Sequence, residues 1–458
     1  MNAANVPYAA LLLAGYAVFT LWCYRTALLS WWQNRQQHHS LHDVLIGYGS
    51  ESGNALALAR SLRQQLVSQG QTAQLINLNK IAPAQLTRDQ RLLIITSTTG
   101  DGEAPANAER FFHNLSSSGD SLQCEFALLA LGDRLYSNFC AFGHQLSQQL
   151  KSLGARPLFP VLEVDRLCPQ TIEHWYELLS ASGFPVQAPK TSTRGVEKHE
   201  PFPQRWALKK RTLLNHGSPG NAMYELELSS PLAAHWQAGD TVLINIAGQQ
   251  REYSIASTPA EDCLRLLVRM QYHDDGSPGL GCGYLCETIS ERDVIELQLK
   301  RNPACYDPAM DMPMILIGNG TGLAGLRAQI QQRLNSKQHG DMWLIYGERS
   351  AEHDRPWHQQ LNQWHSHGDL SALNFAFSRS HAPWPPSLQG KACEGYVQQV
   401  LKREVLQLKQ CLAKGAVIYL CGSRDGMGSD TDRTLRELIG SDYVDELELS
   451  GRYVRDVY

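Results

Sequence analysis

Two stretches of the chain share one arrangement, in which a short apolar strand runs directly into a loop of glycine and polar residues and then into a helix. The first strand is Val44–Gly49, and residues 50–54 form its loop. The second strand covers residues 314–317, and residues 318–325 form its loop. A continuous apolar strand of this kind is typical of a parallel sheet that helices cover on both faces. The sequence therefore predicts two α/β domains.

Further apolar strands follow the first one at the spacing of a doubly wound parallel sheet. They cover residues 74–78, 92–96, 126–131 and 158–162, and helical stretches lie between them. Ligands of such sheets bind outside the carboxyl ends of the strands. Three loops are expected to meet there, at residues 50–54, 97–103 and 132–139. The first loop can place backbone N–H groups and a helix dipole on a phosphate, although it is not a Walker A loop.

A polar, proline-rich stretch at residues 184–203 is typical of a linker, and short alternating strands around residues 222–228 and 240–246 then predict a small antiparallel barrel. The alternation leads into Arg251-Glu252-Tyr253-Ser254, which we place at the end of that strand. Arginine can hold a pyrophosphate, tyrosine can pack on a ring and serine can reach a ring heteroatom. From these residues alone, an exposed strand end before a turn is the simpler interpretation.

The second α/β domain continues with strands at residues 343–347, 373–377 and 417–420. Its glycine-rich loop, residues 318–325, lies between a buried strand and a helix, where glycines allow a dinucleotide to approach the backbone closely.

The amino-terminal residues 1–41 are interpreted as a membrane anchor. Residues 8–24 carry no charge, and an apolar span of about 8–32 is long enough to cross a bilayer. Arg25 and Arg35 follow the start of this span and no Lys or Arg precedes it, so the positive-inside rule places the remainder in the cytoplasm. We therefore expect a single-pass protein of the inner (cytoplasmic) membrane. The alternative is a buried amphipathic hairpin or a partner helix.

Charge and cysteine usage exclude several classes of function. The net charge of −4 argues against a nucleic-acid-binding protein. The 11 cysteines contain no Cys-x-x-Cys pair, so neither a metal site nor a dense disulfide framework is expected.

Several motifs together resemble a known family. Arg251-x-Tyr253-Ser254, the glycine loop at residues 318–322, Tyr419–Gly422 and the terminal residues 452–458 resemble the ferredoxin–NADP reductase family in order and spacing. The upstream half resembles flavodoxin. From Asp43 onward the chain is therefore similar to the diflavin reductases, which include the sulfite reductase flavoprotein subunit and NADPH–cytochrome reductases.

The resemblance implies a flavodoxin-like FMN domain at residues 42–183, the linker at 184–203, an FAD-binding β-barrel at 204–305 and an NADPH-binding α/β domain at 306–458. The larger diflavin reductases insert a helical connecting domain before the Arg-x-Tyr-Ser strand. This chain lacks that domain, because only about a dozen residues separate Asp240 from Arg251.

The resemblance also implies the residues that bind each cofactor. Tyr136 should cover one face of the FMN ring, whereas Thr99 stands where many relatives have a second aromatic residue. The expected FMN-binding residues are Ser50, Glu51, Ser52, Gly53, Asn54, Ser97, Thr98, Thr99, Gly100, Leu131, Gly132, Asp133, Tyr136 and Phe139. The expected FAD-binding residues are Arg251, Tyr253, Ser254, Gly279, Gly281, Cys282 and Tyr458. The expected NADPH-binding residues are Gly320, Thr321, Ser378, Arg379, Tyr396, Gln398 and Cys421.

Two substitutions in these motifs bear on binding. Cys282 stands where relatives often carry Ser or Thr, in a loop whose backbone is expected to bind the pyrophosphate. Ser378 and Arg379 match the site of the NADPH 2′-phosphate, but Glu394 replaces an expected Lys and weakens the preference for NADPH.

The implied function is electron transfer from NADPH to FAD, then to FMN, and then to a one-electron acceptor such as a haem or iron protein. Ser254, Cys421 and Asp456 match family residues around the hydride path, and Tyr458 should stack on the FAD ring. A sulfite reductase flavoprotein-like subunit, an NAD(P)H–ferric or quinone reductase, and a non-catalytic membrane scaffold remain alternatives.

Overall fold

The computed structural model describes residues 44–458, apart from 51–52, 84–85, 87–89, 100–101, 106, 118–120, 135–137, 189–202, 231–233, 303–304, 307–308, 337–338 and the side chain of Asp425. Three six-stranded sheets follow one another along this part of the chain.

The first sheet is parallel and has the strand order β2-β1-β3-β4-β5, with β6 pairing to β4 as well. Its strands are β1 Val44–Gly49, β2 Ala73–Asn77, β3 Arg91–Ser97, β4 Glu125–Gly132, β5 Arg156–Pro157 and β6 Leu162–Asp165. The helices α1 Asn54–Ser68, α2 Glu109–Ser117, α3 Ala141–Ser152 and α4 Pro169–Ala181 alternate with them. Separate apolar clusters fill the two faces, as expected for a doubly wound sheet. The single strand predicted at 158–162 is instead two short strands, which pair with different parts of β4.

The second sheet is antiparallel, with the order β10-β9-β12-β7-β8-β11. Its strands are β7 Gln204–Leu213, β8 Met223–Ser229, β9 Thr241–Ile246, β10 Gln249–Ser254, β11 Leu264–Arg269 and β12 Val294–Lys300, and the short helix α5 Leu280–Gly283 follows β11. A bridge between Ile255 and Leu266 joins the two outer strands. The sheet therefore curls towards a closed barrel.

The Arg251–Ser254 motif lies at the end of a strand, but not, as predicted, of the strand that carries the alternation; it ends the next strand, β10. Ala247 and Gly248 have φ values of 50° and 82° and form a tight turn, after which the motif lies inside β10 and pairs with β9. Positive φ at both turn residues is the geometry of a two-residue hairpin. The alternation predicts β9 but does not reveal that the chain reverses before the motif.

The third sheet is parallel, with the order β16-β15-β14-β13-β17-β18. Its strands are β13 Met314–Asn319, β14 Met342–Glu348, β15 Ala372–Phe377, β16 Lys391–Glu394, β17 Val417–Gly422 and β18 Tyr453–Val457. Its helices are α6 Leu323–Leu334, α7 His358–His367, α8 Val397–Arg403, α9 Val405–Ala413, α10 Ser429–Ile439 and α11 Ser441–Ser450. The chain is therefore α/β with one antiparallel sheet between two parallel ones.

The predicted membrane localisation needs correction. In the part of the chain that the structure describes, no helix is long and apolar enough to cross a membrane. The longest of these helices, α1, has 15 residues and so spans about 22 Å, against a hydrocarbon core of about 30 Å. The predicted span at about 8–32 lies outside the described residues.

Helix α11 joins the third sheet to the first through one carboxylate. Oε2 of Glu448 accepts a hydrogen bond of 3.4 Å from the Tyr48 hydroxyl, and its Oε1 accepts one from the Arg455 guanidinium. The Arg60 guanidinium donates to the backbone carbonyl of Glu448. Burial raises the pKa of Tyr48 far above its ordinary value, and the charge of Glu448 raises it further. We call these four residues the α11 junction.

A second set of ion pairs lies on the same helix. Nζ of Lys80 is 2.6 Å from Oδ2 of Asp445 and 3.1 Å from Oδ1 of Asp442. Leu449 packs against the apolar core of the first sheet. The first and third sheets therefore contact each other through both apolar and charged groups.

Candidate functional site

Three loops meet at the carboxyl edge of the first sheet because β1, β3 and β4 are parallel neighbours. Ser50 follows β1, and its backbone N–H donates to Asn107 Oδ1 at 2.8 Å. Ser97 at the end of β3 donates through its hydroxyl to the Gly49 carbonyl at 3.3 Å. The next residue, Thr98, is tied to β4 by a bond of 3.1 Å from its N–H to the Leu131 carbonyl.

This edge contains buried polar atoms that a bound phosphate and ring could satisfy. The Ser50 and Thr98 hydroxyls and the Asn107 amide nitrogen are buried without a hydrogen-bond partner among the described residues. Buried polar groups are normally paired, so three unpaired ones at one edge favour a polar ligand there. Asn107 was not predicted from the sequence, since it lies between the recognised loops. These residues fit FMN.

The other predicted FMN residues that the structure describes lie around the same edge. Gly53 has φ of 80° and caps α1, which starts at Asn54. Thr99 closes a small loop by exchanging backbone hydrogen bonds with Glu103. At Gly132, an added Cβ would lie 2.9 Å from the Phe139 ring, and the neighbouring Asp133 lies 4.0 Å from the Arg166 guanidinium. Glu51, Ser52, Gly100 and Tyr136 lie outside the described residues.

The predicted FAD residues come together where β10 packs on α5. A Cβ added to Gly281 would lie 2.4 Å from the Tyr253 hydroxyl oxygen and 3.0 Å from Cγ of Arg251, so both side chains rest directly on this glycine. The Arg251 guanidinium is exposed and is held by Gln249 Oε1 at 2.7 Å. An arginine oriented in this way can bind a pyrophosphate.

A cleft of about 520 Å³ lies beside this contact. Residues 245–247 of the β9–β10 turn form one wall, and residues 278–280, Gly283, Tyr284 and Thr288 form the other. The volume suits one nucleoside. Gly279 donates its N–H to the Gln271 carbonyl, and the Cys282 thiol accepts from the Gln271 N–H at 3.2 Å. The Cys282 side chain thus ties its own loop to β11, which is compatible with binding by the loop backbone.

Three glycines of the loop in the third sheet are required because Cys421 packs closely against them. Added Cβ atoms at Gly318 and Gly322 would lie 2.4 and 2.2 Å from the Cys421 carbonyl oxygen, and one at Gly325 would lie 2.8 Å from its sulfur. Gly320 differs, because its φ is 54° and nothing lies within 4 Å of an added Cβ. Of the four glycines, Gly320 is thus the one that leaves room for a ligand, whereas the others allow α6 to approach β17.

Cys421 and Asp456 face each other in register on β17 and β18. The Cys421 thiol donates to Asp456 Oδ2 at 3.3 Å, and the Tyr419 hydroxyl donates to the same oxygen at 3.4 Å. Burial raises the pKa of Asp456 to about 6, and the charge of Glu252 on β10 raises it further. Burial also raises the pKa of Cys421 well above its ordinary value, and the charge of Asp456 adds to this. The thiol is therefore a proton donor beside a carboxylate.

Tyr458 reaches the glycine loop from the other side. Its hydroxyl lies 2.9 Å from Thr321 Oγ1, and its N–H donates to the Gly422 carbonyl at 3.1 Å. Tyr458 as a whole residue is 56% exposed. Ser254 ends β10, and within the described residues no hydrogen bond joins it to Cys421 or Asp456.

The predicted 2′-phosphate residues lie at the ends of β15 and β16. Ser378 and Arg379 donate their N–H groups to the carbonyls of Glu348 and Arg349, which fixes the loop after β15. Tyr396 is 63% exposed at the start of α8. Oε1 of Gln398 is buried without a partner among the described residues, which favours a donor from a ligand.

A buried charge network that the sequence did not predict supports Gly320. The Arg269 guanidinium at the end of β11 binds Oε1 of Glu348, which also accepts from the Tyr346 hydroxyl at 3.0 Å. The Tyr346 hydroxyl lies 2.9 Å from the Gly320 carbonyl as well. Burial raises the pKa of Glu348. Arg269 and Glu348 are each ordinary strand-end residues in the sequence, and only the packing of the barrel on the third sheet brings them together.

Two family descriptions match the chain: Flavodoxin over residues 46–176 and Oxidoreductase NAD-binding domain over residues 316–433. They cover the first and third sheets, on either side of the barrel. The chain has diflavin reductase architecture. The predicted cofactors FMN, FAD and NADPH are confirmed at the level of these domains, and the protein is a flavin oxidoreductase.

Relatives that align with most of this chain support the same assignment. It is 28% identical to the sulfite reductase [NADPH] flavoprotein alpha-component of Thiocapsa roseopersicina, with 86% of this chain and 83% of the relative covered. It is 24% identical to the protein of that name in Bacillus subtilis (strain 168), with 91% and 89% covered. That alignment extends over 551 positions, more than the 458 residues here, so the relative has segments without a counterpart in this chain.

Proposed function

We propose that this NADPH-dependent diflavin oxidoreductase receives hydride beside Cys421 and Asp456 and reduces a haem or iron protein from its flavodoxin-like edge. The observation that carries this proposal is the pairing of Cys421 with Asp456 directly behind the glycine loop. Cys421 packs on three glycines of that loop and lies in register with Asp456 on the neighbouring strand. The chemistry that bound FAD and FMN supply is the conversion of a two-electron hydride into single electrons.

The chain's own residues have separable tasks in this proposal. Gly320 and Thr321 receive the pyrophosphate of NADPH on backbone N–H groups at the sheet edge. The Cys421 thiol and the Asp456 carboxylate orient the nicotinamide, and the negative charge of Asp456 stabilises the positive charge that develops there as hydride leaves. Tyr458 occupies the stacking position until the nicotinamide displaces it.

The two flavin sites use different chemistry. At the first sheet, the Ser50 and Thr98 hydroxyls and the start of α1 hold a phosphate and a ring. At the barrel, Arg251 holds a pyrophosphate, Tyr253 packs beside it and the adjacent cleft takes the nucleoside. Ser254 completes this set at the flavin ring, by resemblance rather than by a contact within the chain.

A second candidate is favoured by the names of the relatives. The Thiocapsa roseopersicina and Bacillus subtilis proteins are sulfite reductase flavoproteins, so this chain would act as the electron-donating subunit of a sulfite-reducing haemoprotein. Mixing the purified protein with such a haemoprotein, NADPH and sulfite tests this candidate. Formation of sulfide supports it, and NADPH oxidation without sulfide contradicts it.

The main proposal is tested by separating the two flavin sites in the full-length protein. Acid-released cofactors should contain FMN and FAD in equal amounts. Ser50→Asp should lower the FMN content, because it places a negative charge where the phosphate binds, whereas Ser50→Ala should retain FMN. NADPH-dependent reduction of cytochrome c should fall with the FMN content. If Ser50→Asp loses its FMN but keeps full NADPH-dependent reduction of cytochrome c, the flavodoxin-like edge is not the outlet.

A further inference from the structure

The site of the 2′-phosphate contains a carboxylate that should oppose an anionic ligand. Glu394 ends β16 and pairs in register with Phe377, the residue directly before Ser378 and Arg379. The N–H of Gly395 donates to the Phe377 carbonyl at 2.9 Å, which fixes this position. A negative charge beside the site repels a phosphate unless a cation compensates for it.

His381 is placed to compensate for that charge. Its Nδ1 lies 3.1 Å from Oε2 of Glu394, and it follows Arg379 by two residues on the same loop. The histidine side chain is 80% exposed and the glutamate side chain 54% exposed, so both can contact a ligand. As an exposed contact, the pair adds little stability of its own.

We propose that His381, oriented by Glu394, is a second ligand of the NADPH 2′-phosphate and makes selectivity for that phosphate depend on pH. The inference rests on the proposed use of NADPH and adds a residue to it. Imidazole is the side chain that commonly gains its proton between about pH 5 and pH 8. When His381 is protonated, the site contains two cations, Arg379 and His381, and one carboxylate, Glu394. When His381 is neutral, Arg379 is the one cation opposite Glu394.

The other charged groups nearby do not take over the role of His381 beside Glu394. Arg349 follows β14, and its carbonyl accepts from the Arg379 N–H. Glu348 on β14 is bound to Arg269, and Lys391 on β16 is 2.7 Å from Glu404. Arg355 donates to the Ser387 hydroxyl, and Tyr396 stands at the start of α8. The arginines and the lysine keep their charge over the range tested. Among the described residues, His381 is the imidazole that contacts Glu394.

The test compares two probes that differ only in the 2′-phosphate, adenosine 2′,5′-bisphosphate and 5′-AMP. Their affinities for the full-length protein are measured by calorimetry at about pH 6 and about pH 8. The ratio of affinities should fall several-fold with rising pH in the parent, although the phosphate itself gains charge over this range. In His381→Gln the ratio should stay constant or rise. His367→Gln, at an exposed position of α7, is the matched control and should behave like the parent.

The outcomes distinguish the role of His381 from the use of NADPH. If the parent prefers the bisphosphate but His381→Gln shows the same pH dependence, the role of His381 is refuted while the use of NADPH stands. If the parent binds both probes equally at either pH, both statements fail. A Glu394→Gln variant should bind the bisphosphate more tightly at about pH 8, because the repulsion is removed, and weaker binding there would also contradict the inference.

Discussion

Replacing Asp456 with Asn should stabilise the protein while slowing hydride transfer. Asp456 has an ordinary pKa of 3.8, which burial raises to about 6. The folded chain therefore binds this proton more tightly than the unfolded chain, so ionisation of Asp456 costs stability that grows from about pH 4 and reaches its full value above about pH 6. A difference of about two pKa units corresponds to about 3 kcal/mol at pH 8, at about 1.4 kcal/mol per unit. About half of that cost remains near pH 5, and it vanishes below the ordinary pKa.

Asn can still accept from Cys421 and Tyr419, so the substitution removes the charge with little change in packing. Thermal unfolding of the full-length protein without nucleotide should show a higher midpoint for Asp456→Asn at pH 8 than at pH 5, each relative to the parent. Asp274→Asn, on the exposed loop after β11, is the control and should change stability by less than about 0.5 kcal/mol. A gain that is absent at pH 8, or equal at both pH values, would refute the reasoning.

Three further substitutions test the site. Gly325→Ala would push a methyl group against the Cys421 sulfur and should cost about 1–3 kcal/mol, measured as a lower unfolding midpoint; an unchanged midpoint would mean that α6 can move away. Arg379→Ala removes a charge-assisted bond worth about 1.5–3 kcal/mol and should raise the apparent KM for NADPH about ten- to a hundred-fold while leaving that for NADH unchanged; equal changes for both nucleotides contradict this. Tyr458→Ser removes the stacking ring and its bond to Thr321, so NADP⁺ should bind more tightly and discrimination against NADH should relax; unchanged constants and flavin absorbance contradict a stacking role.

The parallel sheets were predictable because their strands are continuously apolar. The starts of β1 and β13 and the end of β15 fall where the sequence placed them, and the loops after β1, β3 and β4 meet as expected. The prediction for the second sheet was less accurate at β10, the strand that carries Arg251–Ser254. Alternation shows which side chains are buried, but it does not show where a two-residue turn reverses the chain. The fifth strand of the first sheet was misjudged because β5 and β6 are too short to show a pattern.

Only part of the candidate site could be predicted from the sequence. Cys421 and Asp456 were chosen by resemblance, and the structure adds Tyr419, which shares the same carboxylate oxygen. The glycine loop was assigned to ligand approach, whereas most of its glycines are needed for packing against Cys421. Arg269 and Glu348 were missed because a buried ion pair between two domains leaves no local sequence signal.

The α11 junction bears on how the molecule unfolds. The Glu448 carboxylate accepts hydrogen bonds both from Tyr48, on the first strand of the described chain, and from Arg455, on the last strand. Unfolding the first sheet alone would take the Tyr48 hydroxyl and the Arg60 guanidinium away from Glu448 while Arg455 stays bound to it, and hydrogen bonds of this kind contribute about 0.5–1.5 kcal/mol each. The two sheets are thus thermodynamically linked although a barrel separates them in sequence. Calorimetry should record one unfolding transition for both sheets. High salt or acid should separate it into two transitions.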